Sequence, residues 1–400
     1  MQPSRTDPLI LFSGGYNGEI VTLRFNPSSS QLERIATTKN GGEAPTWLTL
    51  SPDGKLLFAT DEHGGLLTSF AIEDDFSLRF NSAIPVGGDA ACHSTLLDTT
   101  PRKLLTATYM GELVTSHGIF SGGDFVPDES QVQRLSVTDV GKLGSHETRQ
   151  EQRHPHGVHL DPKGKTIIVP DLGTDELRVF KVLPDGNLEY VIGGETKLAP
   201  GTGPRHCMFA KTRQGKDIMY VMEELGNSVS VFDVNYDGED ESQVPKFRRL
   251  QPSVSLLPPE PTAQQSPFEK WHSAEIKITP DSRYLIASNR AEDHDPYNGK
   301  REGDPDLFAI FKVNDNGTLD ENSKRLTTSF GRAPRHFSLS NESLIAQRQG
   351  QKWQSGDELY LAVAHHDSDE IVIAKVGKEA ELVEVARLQD VGRPGVVIWA

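Results

Sequence analysis

An all-β, seven-bladed β-propeller is predicted by three features: a strand–turn–strand pattern repeated along the chain, the composition of the strands within it, and two unpaired strand fragments at opposite ends. The repeat is an apolar alternating strand, a Pro-Asp-Gly-like turn, a second apolar strand, a short polar break and a third strand. Its clearest copies begin at Pro45 (PTWLTLSPDGKLLFATDEHGGLLTSFAI), His156 (HGVHLDPKGKTIIVPDLGTDELRVFKV) and Arg205 (RHCMFAKTRQGKDIMYVMEELGNSVSVFDV). Further copies start near Ser273 and Arg335, and a degenerate one near His93 (HSTLLDTTPRKLLTATYMGELVTSHGI). These starts are 48, 63, 49, 68 and 62 residues apart, at or above the roughly 40 to 50 of a four-stranded blade. The excess is assigned to loops.

Strand composition agrees with this reading. IIVP, DIMYVM, YLIAS and LYLAVA are short runs rich in β-branched and aromatic residues, bounded by Gly, Pro, Asp and Asn. Helical periodicity is nowhere convincing. Six copies account for residues 45–393, which leaves LILFSGGYNGEIVTLRF at the start and PGVVIWA at the end. Together these fragments predict a seventh blade in which Val396-Val397-Ile398-Trp399 is the inner strand for the N-terminal strands. That pairing closes the ring and removes a free sheet edge. The expected organisation is one domain over residues 1–400, with N-terminal strands in 9–44 and a C-terminal strand in 394–400 sharing a blade.

Charge and composition narrow the function classes. Lys and Arg number 41 against 57 Asp and Glu, a net charge of -16 that repels nucleic acid and anionic membranes. Neither is expected as a partner. No apolar run approaches the roughly 18 residues that would cross a bilayer, and the segment from Met1 to Pro8 has no basic stretch followed by an apolar one. A cytosolic location is therefore expected. Cys92 and Cys207 make neither a disulfide framework nor a zinc site.

The repeat also predicts one polar face. Because successive strands of a blade run antiparallel, residues just before the inner strand and just after the second strand reach the same rim. The SPDGK, DPKGK, TRQGK and TPDSR turns fall on the opposite face and read as ordinary turn chemistry. The upper rim then collects Pro45, His93, His156, Arg205, His206, His272, Arg335, His336 and Arg393 from inner-strand starts. Second-strand ends add Asp61, Tyr109, Asp171, Glu224, Arg290 and His365. Convergent ionisable groups at a channel mouth make this rim the candidate site.

The runs HPHGVHLDP, GPRHCMFA, MEELGNSVSVFDV, WHSAEIKITPDSRYLIASNRAED and APRHFSLS resemble the seven-bladed propeller lactonase family. That family includes propeller-type 6-phosphogluconolactonases and the fungal 3-carboxy-cis,cis-muconate lactonizing enzyme. The resemblance spans roughly Pro45 to Ala400. Carried over position by position, it implies an active-site His at His156, two Arg at Arg205 and Arg290, and a carboxylate at Glu224. Lactonase members usually show Asn before that Glu, where this chain has Glu223.

Two chemistries fit these groups. In a lactonase acting on a small anionic sugar lactone such as 6-phosphogluconolactone, Arg205 and Arg290 hold the anion and stabilise the oxyanion. Glu224 and His156 then share the acid and base roles. In a carboxymuconate cycloisomerase, an isomerase that forms a lactone, the arginines bind carboxylates while His156 or Glu224 delivers a proton to carbon. His206, Arg335 and His336 repeat an Arg-His pair and are secondary substrate-binding candidates, with blade-to-blade bonding as the competing role. A third reading is a non-catalytic scaffold, which would present aromatic anchors where this rim is mainly ionic.

Local arguments sharpen these choices. In YVMEELGN the alternation of a strand points Glu223 and Glu224 to opposite sides, so only one faces the channel. His154 is expected at the surface, and His272 and Asp171 are expected to be structural. In HPHGVH, alternation separates His156 from His159, and no carboxylate partner is evident; His365-His366-Asp367 has the same weakness, so no metal or other cofactor is expected. No GxxxxGK[ST], HExxH or GxSxG occurs. Residues 235–272 are expected to supply an outer strand, FRRLQPSVSL, and with 291–306 to overhang the site as a lid or a solvated insertion.

Overall fold

The structure is a computed structural model that describes residues 8–127, 133–136, 143–236, 244–258, 271–291, 306–342 and 357–400. The strands form seven antiparallel sheets. Blade 1 combines Pro394–Trp399 with Leu9–Gly15, Ile20–Asn26 and Gln31–Thr38. Blade 2 runs from Pro45–Leu50 to Leu78–Pro85, blade 3 from Ala91–Leu97 to Gln133–Ser136, and blade 4 from His159–Leu160 to Leu188–Tyr190 with a short added strand, Thr196–Lys197. Blade 5 runs from Pro204–Lys211 to Lys246–Ser255, blade 6 from Trp271–Ile278 to Leu319–Thr328, and blade 7 from Pro334–Leu339 to Leu382–Gln389. Among the described residues the only helical turn is a 3-10 turn at Ser340–Glu342.

The middle strands are continuously apolar because both of their faces are covered. In Asp217–Glu223 of blade 5, Ile218, Tyr220 and Met222 join a cluster with Ile276, Leu285 and Phe311 of blade 6. Met219 and Val221 point the other way, to Ile168 and Val179 of blade 4. The same arrangement recurs around the ring, with seven apolar clusters each lying between two neighbouring blades. The sheets are thus held to one another by burial of side chains, whereas the hydrogen bonds run within each sheet.

Blade 1 closes the ring as expected. Leu11, Phe12, Ser13 and Gly14 pair with Trp399, Ile398, Val397 and Val396, and Ser13 Oγ donates to the Val396 carbonyl at 2.7 Å. Trp399, 2% exposed, packs with Phe25 and Tyr360 across the blade 7 interface. Its Nε1 donates to Ser338 O at 3.0 Å. Trp399→Ala removes this side chain from both contacts and is expected to cost about 3–5 kcal/mol, measurable by urea unfolding. A loss below about 1 kcal/mol would show that closure contributes little.

All but the last residue of the segment FRRLQPSVSL lies in the outer strand Lys246–Ser255, as expected. Residues 237–243, 259–270 and 292–305, which fall in the segments expected to overhang the site as a lid or a solvated insertion, lie outside the described residues.

Candidate active site

The register of the blades shows which positions reach the mouth of the channel. Pro45, Pro155, Pro204 and Pro334 sit opposite Asp61, Asp171, Glu223 and His365. The residue after each proline is Thr46, His156, Arg205 or Arg335, and the residue after three of the partners is Glu62, Glu224 or His366. These are equivalent positions, and all seven side chains belong to the site or line its pocket.

At its centre is Glu224, which is 2% exposed. Arg149 Nη2 lies 2.7 Å and Arg290 Nη2 3.2 Å from Glu224 Oε1, while Arg205 Nε is 3.0 Å from Oε2. His156 Nε2 lies 3.7 Å from the same Oε2. The backbone fixes the carboxylate in place: Glu224 N donates to Gly203 O at 2.7 Å, and Ser273 N to Glu224 O at 3.2 Å. Burial would raise the Glu224 carboxyl, but Arg290, Arg149 and Arg205 outweigh it and hold it well below the usual carboxylate range.

Glu223 points to the other side of the strand. It is fully buried and accepts bonds from the hydroxyls of Ser228, Ser230 and Ser253. The alternation therefore leaves Glu224 facing the arginines.

Arg205 is buried and its donors face the protein. Nη1 reaches the Ala274 carbonyl at 2.5 Å and the His206 ring. Burial, reinforced by Arg290 and Arg335, lowers it to about 10 against the pull of Glu224, so it stays charged at neutral pH. Arg149 and Arg290 are the more open partners, with side chains 26% and 16% exposed.

Arg149 was not singled out by the repeat, because its loop belongs to no blade. Gln150 anchors that loop through Leu172 O at 2.8 Å and Asp175 at 2.9 Å, and Tyr109 is hydrogen-bonded to Arg149.

Across the mouth, Arg335 Nη2 pairs with Glu62 at 3.1 Å. Glu62 also accepts from Tyr16 Oη at 2.9 Å and Thr46 Oγ1 at 2.7 Å. A pocket of about 200 Å³ lies between the two arrangements, lined by Arg290, Ala291, Ala333, Arg335, His366 and Asp367.

Below the arginines the channel holds a group of histidines. Trp47 lies 4.1 Å from the His93 ring and edge-on to His206 and His336. His156 and His159 both approach His206. The expected separation of His156 from His159 fails because the regular inner strand begins only at His159. Residues 154–158 do not follow its alternation.

Burial pushes His93, His156 and His206 well below the usual imidazole value, and takes His159 to about 3 and His336 to about 4. All five are neutral at pH 7. His206 Nδ1 and His336 Nε2 face Glu275 at 3.1 and 3.6 Å. Among the described residues no group of three or more His, Cys, Asp or Glu is arranged to hold a metal ion.

His154 is fully buried where a surface position was expected, because it stacks on Tyr109 at 4.0 Å and bonds the Tyr109 carbonyl. Asp171 accepts the His154 and Gly173 amides and pairs with Arg178. Asp61 accepts those of Ala44 and Gly64. These two carboxylates bind loops, outside the mouth itself.

The fold and the cluster together define a propeller with a small polar site at one channel mouth, in which several guanidinium groups surround a buried carboxylate. The chain belongs to the family described as "Lactonase, 7-bladed beta-propeller", whose model matches residues 10–399.

Among its relatives, the "Probable 6-phosphogluconolactonase" of Arthroderma benhamiae is 28% identical over 285 residues, 71% of this chain and 66% of that one, just under two thirds of the relative's length. A 6-phosphogluconolactonase of Yersinia pestis is 24% identical over 81% of this chain and 82% of its own. A crystal structure from Bacteroides fragilis covers 100% of both chains with a TM-score of 0.77 at 26% identity. The periplasmic gluconolactonase of Pseudomonas aeruginosa shares the fold, with a TM-score of 0.75 at 23% identity over 98% of this chain and 99% of that one. No helix of the described residues is long and apolar enough to cross a membrane.

Proposed function

We propose that this protein is a lactonase hydrolysing a small anionic sugar lactone of the 6-phosphogluconolactone type. The observation that carries the reading is the set of three guanidinium groups on one buried carboxylate, Arg149, Arg205 and Arg290 around Glu224. Three positive charges on one negative leave a surplus in a chain whose net charge is -16. A site of that sign attracts an anion that the rest of the surface repels.

In this proposal the exposed edges of Arg149 and Arg290 face the lactone carbonyl and stabilise the oxyanion that forms when water adds to it. Arg205 acts from behind, holding Glu224 in place. Glu224 is engaged by the three arginines, and His156, neutral at pH 7 with its Nε2 3.7 Å from Glu224 Oε2, accepts the proton of the attacking water. The imidazolium so formed faces Glu224 Oε2 and returns the proton to the ring oxygen as the acyl C–O bond breaks. His206 and His336 lie deeper, against Glu275, and support the inner wall; Arg335 meets the substrate from the opposite side of the pocket. One domain spans the chain, and a cytosolic setting agrees with the free, buried thiols of Cys92 and Cys207.

The test is an assay of purified protein, treated with a chelator, on 6-phosphogluconolactone and on 3-carboxy-cis,cis-muconate, with Arg290→Ala alongside. Hydrolysis above the spontaneous rate is expected, falling about 10²–10³-fold in the variant. The melting temperature is expected to change by less than about 3 °C. Consumption of the muconate alone would assign the site to the cycloisomerase reaction. Full turnover by Arg290→Ala would remove that residue from the mechanism.

A further inference from the structure

The pocket beside the Glu224 cluster has a second wall that the hydrolytic chemistry does not use. His366 and Asp367 lie in the turn between Leu359–His365 and Glu370–Val376 of blade 7, with side chains 20% and 25% exposed. His366 Nδ1 and Asp367 Oδ1 are 2.6 Å apart. The His366 ring meets Tyr16 edge-on at 4.8 Å, and backbone bonds from His366 N to Ala333 O and from Asp367 N to Arg332 O tie the turn to the chain entering blade 7.

The floor is equally well fixed. The Asp306 carboxyl accepts the amides of Ala291 at 3.2 Å and Ala333 at 2.7 Å. It thereby joins the end of one strand in blade 6, next to Arg290, to the approach of the inner strand in blade 7, next to Arg335. Ala291 and Ala333 themselves line the pocket with small side chains.

The lining mixes two kinds of group. Arg290 and Arg335 are donors only, and the Asp367 carboxylate is an acceptor. A ligand bearing only carboxylates would satisfy the arginines but set its oxygens against those of Asp367. A hydroxyl group satisfies both, since it accepts from a guanidinium and donates to a carboxylate. The volume of about 200 Å³ is below the range of roughly 300–1,000 Å³ for drug-sized ligands, which suits one sugar unit.

We infer that Asp367, oriented by His366, is a specificity-determining residue that reads hydroxyl groups of a polyhydroxylated acid held between Arg290 and Arg335. This rests on the lactonase reading and extends it by selecting sugar-derived acids over polycarboxylates that lack hydroxyls.

Calorimetric titration with the product-like 6-phosphogluconate and with propane-1,2,3-tricarboxylate tests it without relying on turnover. The wild-type protein is expected to prefer 6-phosphogluconate, and Asp367→Ala to weaken that ligand about tenfold or more while leaving the tricarboxylate unchanged or tighter. Asp367→Asn keeps the side-chain shape and one acceptor, so it is expected to fall between the two, and unchanged melting temperatures show that both variants fold. An undiminished preference for 6-phosphogluconate in Asp367→Ala overturns the Asp367 assignment and leaves the lactonase reading standing. Failure of the wild-type protein to bind 6-phosphogluconate overturns the reading itself.

Discussion

Replacing His156 with Asn is expected to lower kcat on the lactone substrate by about 10²–10⁴-fold, the range for loss of a general base. The effect on folding is expected to be small. Among the described residues His156 Nδ1 has no hydrogen-bond partner, and the backbone bond from His156 N to Pro170 O at 2.9 Å does not depend on the side chain. The same residue sets a pH signature. Burial, with Arg205 beside it, keeps His156 well below the ordinary imidazole value of 6.5, so the base form persists as the pH falls through the range in which an exposed histidine protonates. The acid limb of kcat/KM should therefore lie below about pH 6. A limb centred near pH 6.5 that persists in His156→Asn would transfer the base role to another group.

Glu224→Gln is expected to be the most disruptive single substitution at the site. It preserves the shape of the side chain but leaves Arg149, Arg205 and Arg290 around a neutral amide. Breaking a buried ion pair in this way costs about 3–5 kcal/mol, and the partial exposure of Arg149 and Arg290 places the expected loss toward the lower end. The pH dependence has a definite sign. The carboxyl is held below its unfolded value of 4.5, so its stabilising contribution is fully present above that pH and is lost as the pH falls toward the folded-state value. Urea unfolding of the two proteins should differ most at neutral pH, with the gap narrowing as the pH falls below 4.5. Because the variant has one negative charge fewer, 6-phosphogluconate should bind it as tightly as the wild type or more so, while turnover is lost. Retained turnover would show that the carboxylate is dispensable to the reaction.

Most of the fold was legible because the repeat is carried by burial. A strand such as Asp217–Glu223 must be apolar on both faces to sit between two blades, and that requirement writes itself into the sequence each time. His156, Arg205, Glu224 and Arg290 were legible for a related reason, since each stands at a fixed offset from a repeated strand end. Glu62 and His366 could have been found by the same offset. They follow Asp61 and His365 as Glu224 follows Glu223, but in those two blades the strand end was read one residue early, at Asp61 and His365 themselves. Arg149 lies in a loop with no counterpart in other blades, so its approach to Glu224 depends on how Gln150 is held by Leu172 and Asp175. His154 was misjudged because its burial comes from stacking on Tyr109 of blade 3, a contact between segments 45 residues apart.

The pairing of Leu9–Gly15 with Pro394–Trp399 also constrains how the protein can be made. The strands of blades 2 to 7 can pair in the order in which they leave the ribosome, but the first three strands of blade 1 wait for a partner translated after every other blade. Until then Leu9-Ile10-Leu11-Phe12 is an uncovered apolar edge. The nascent chain therefore carries an unpaired apolar strand edge for nearly the whole of translation, and strand-capturing chaperones would find their opportunity there.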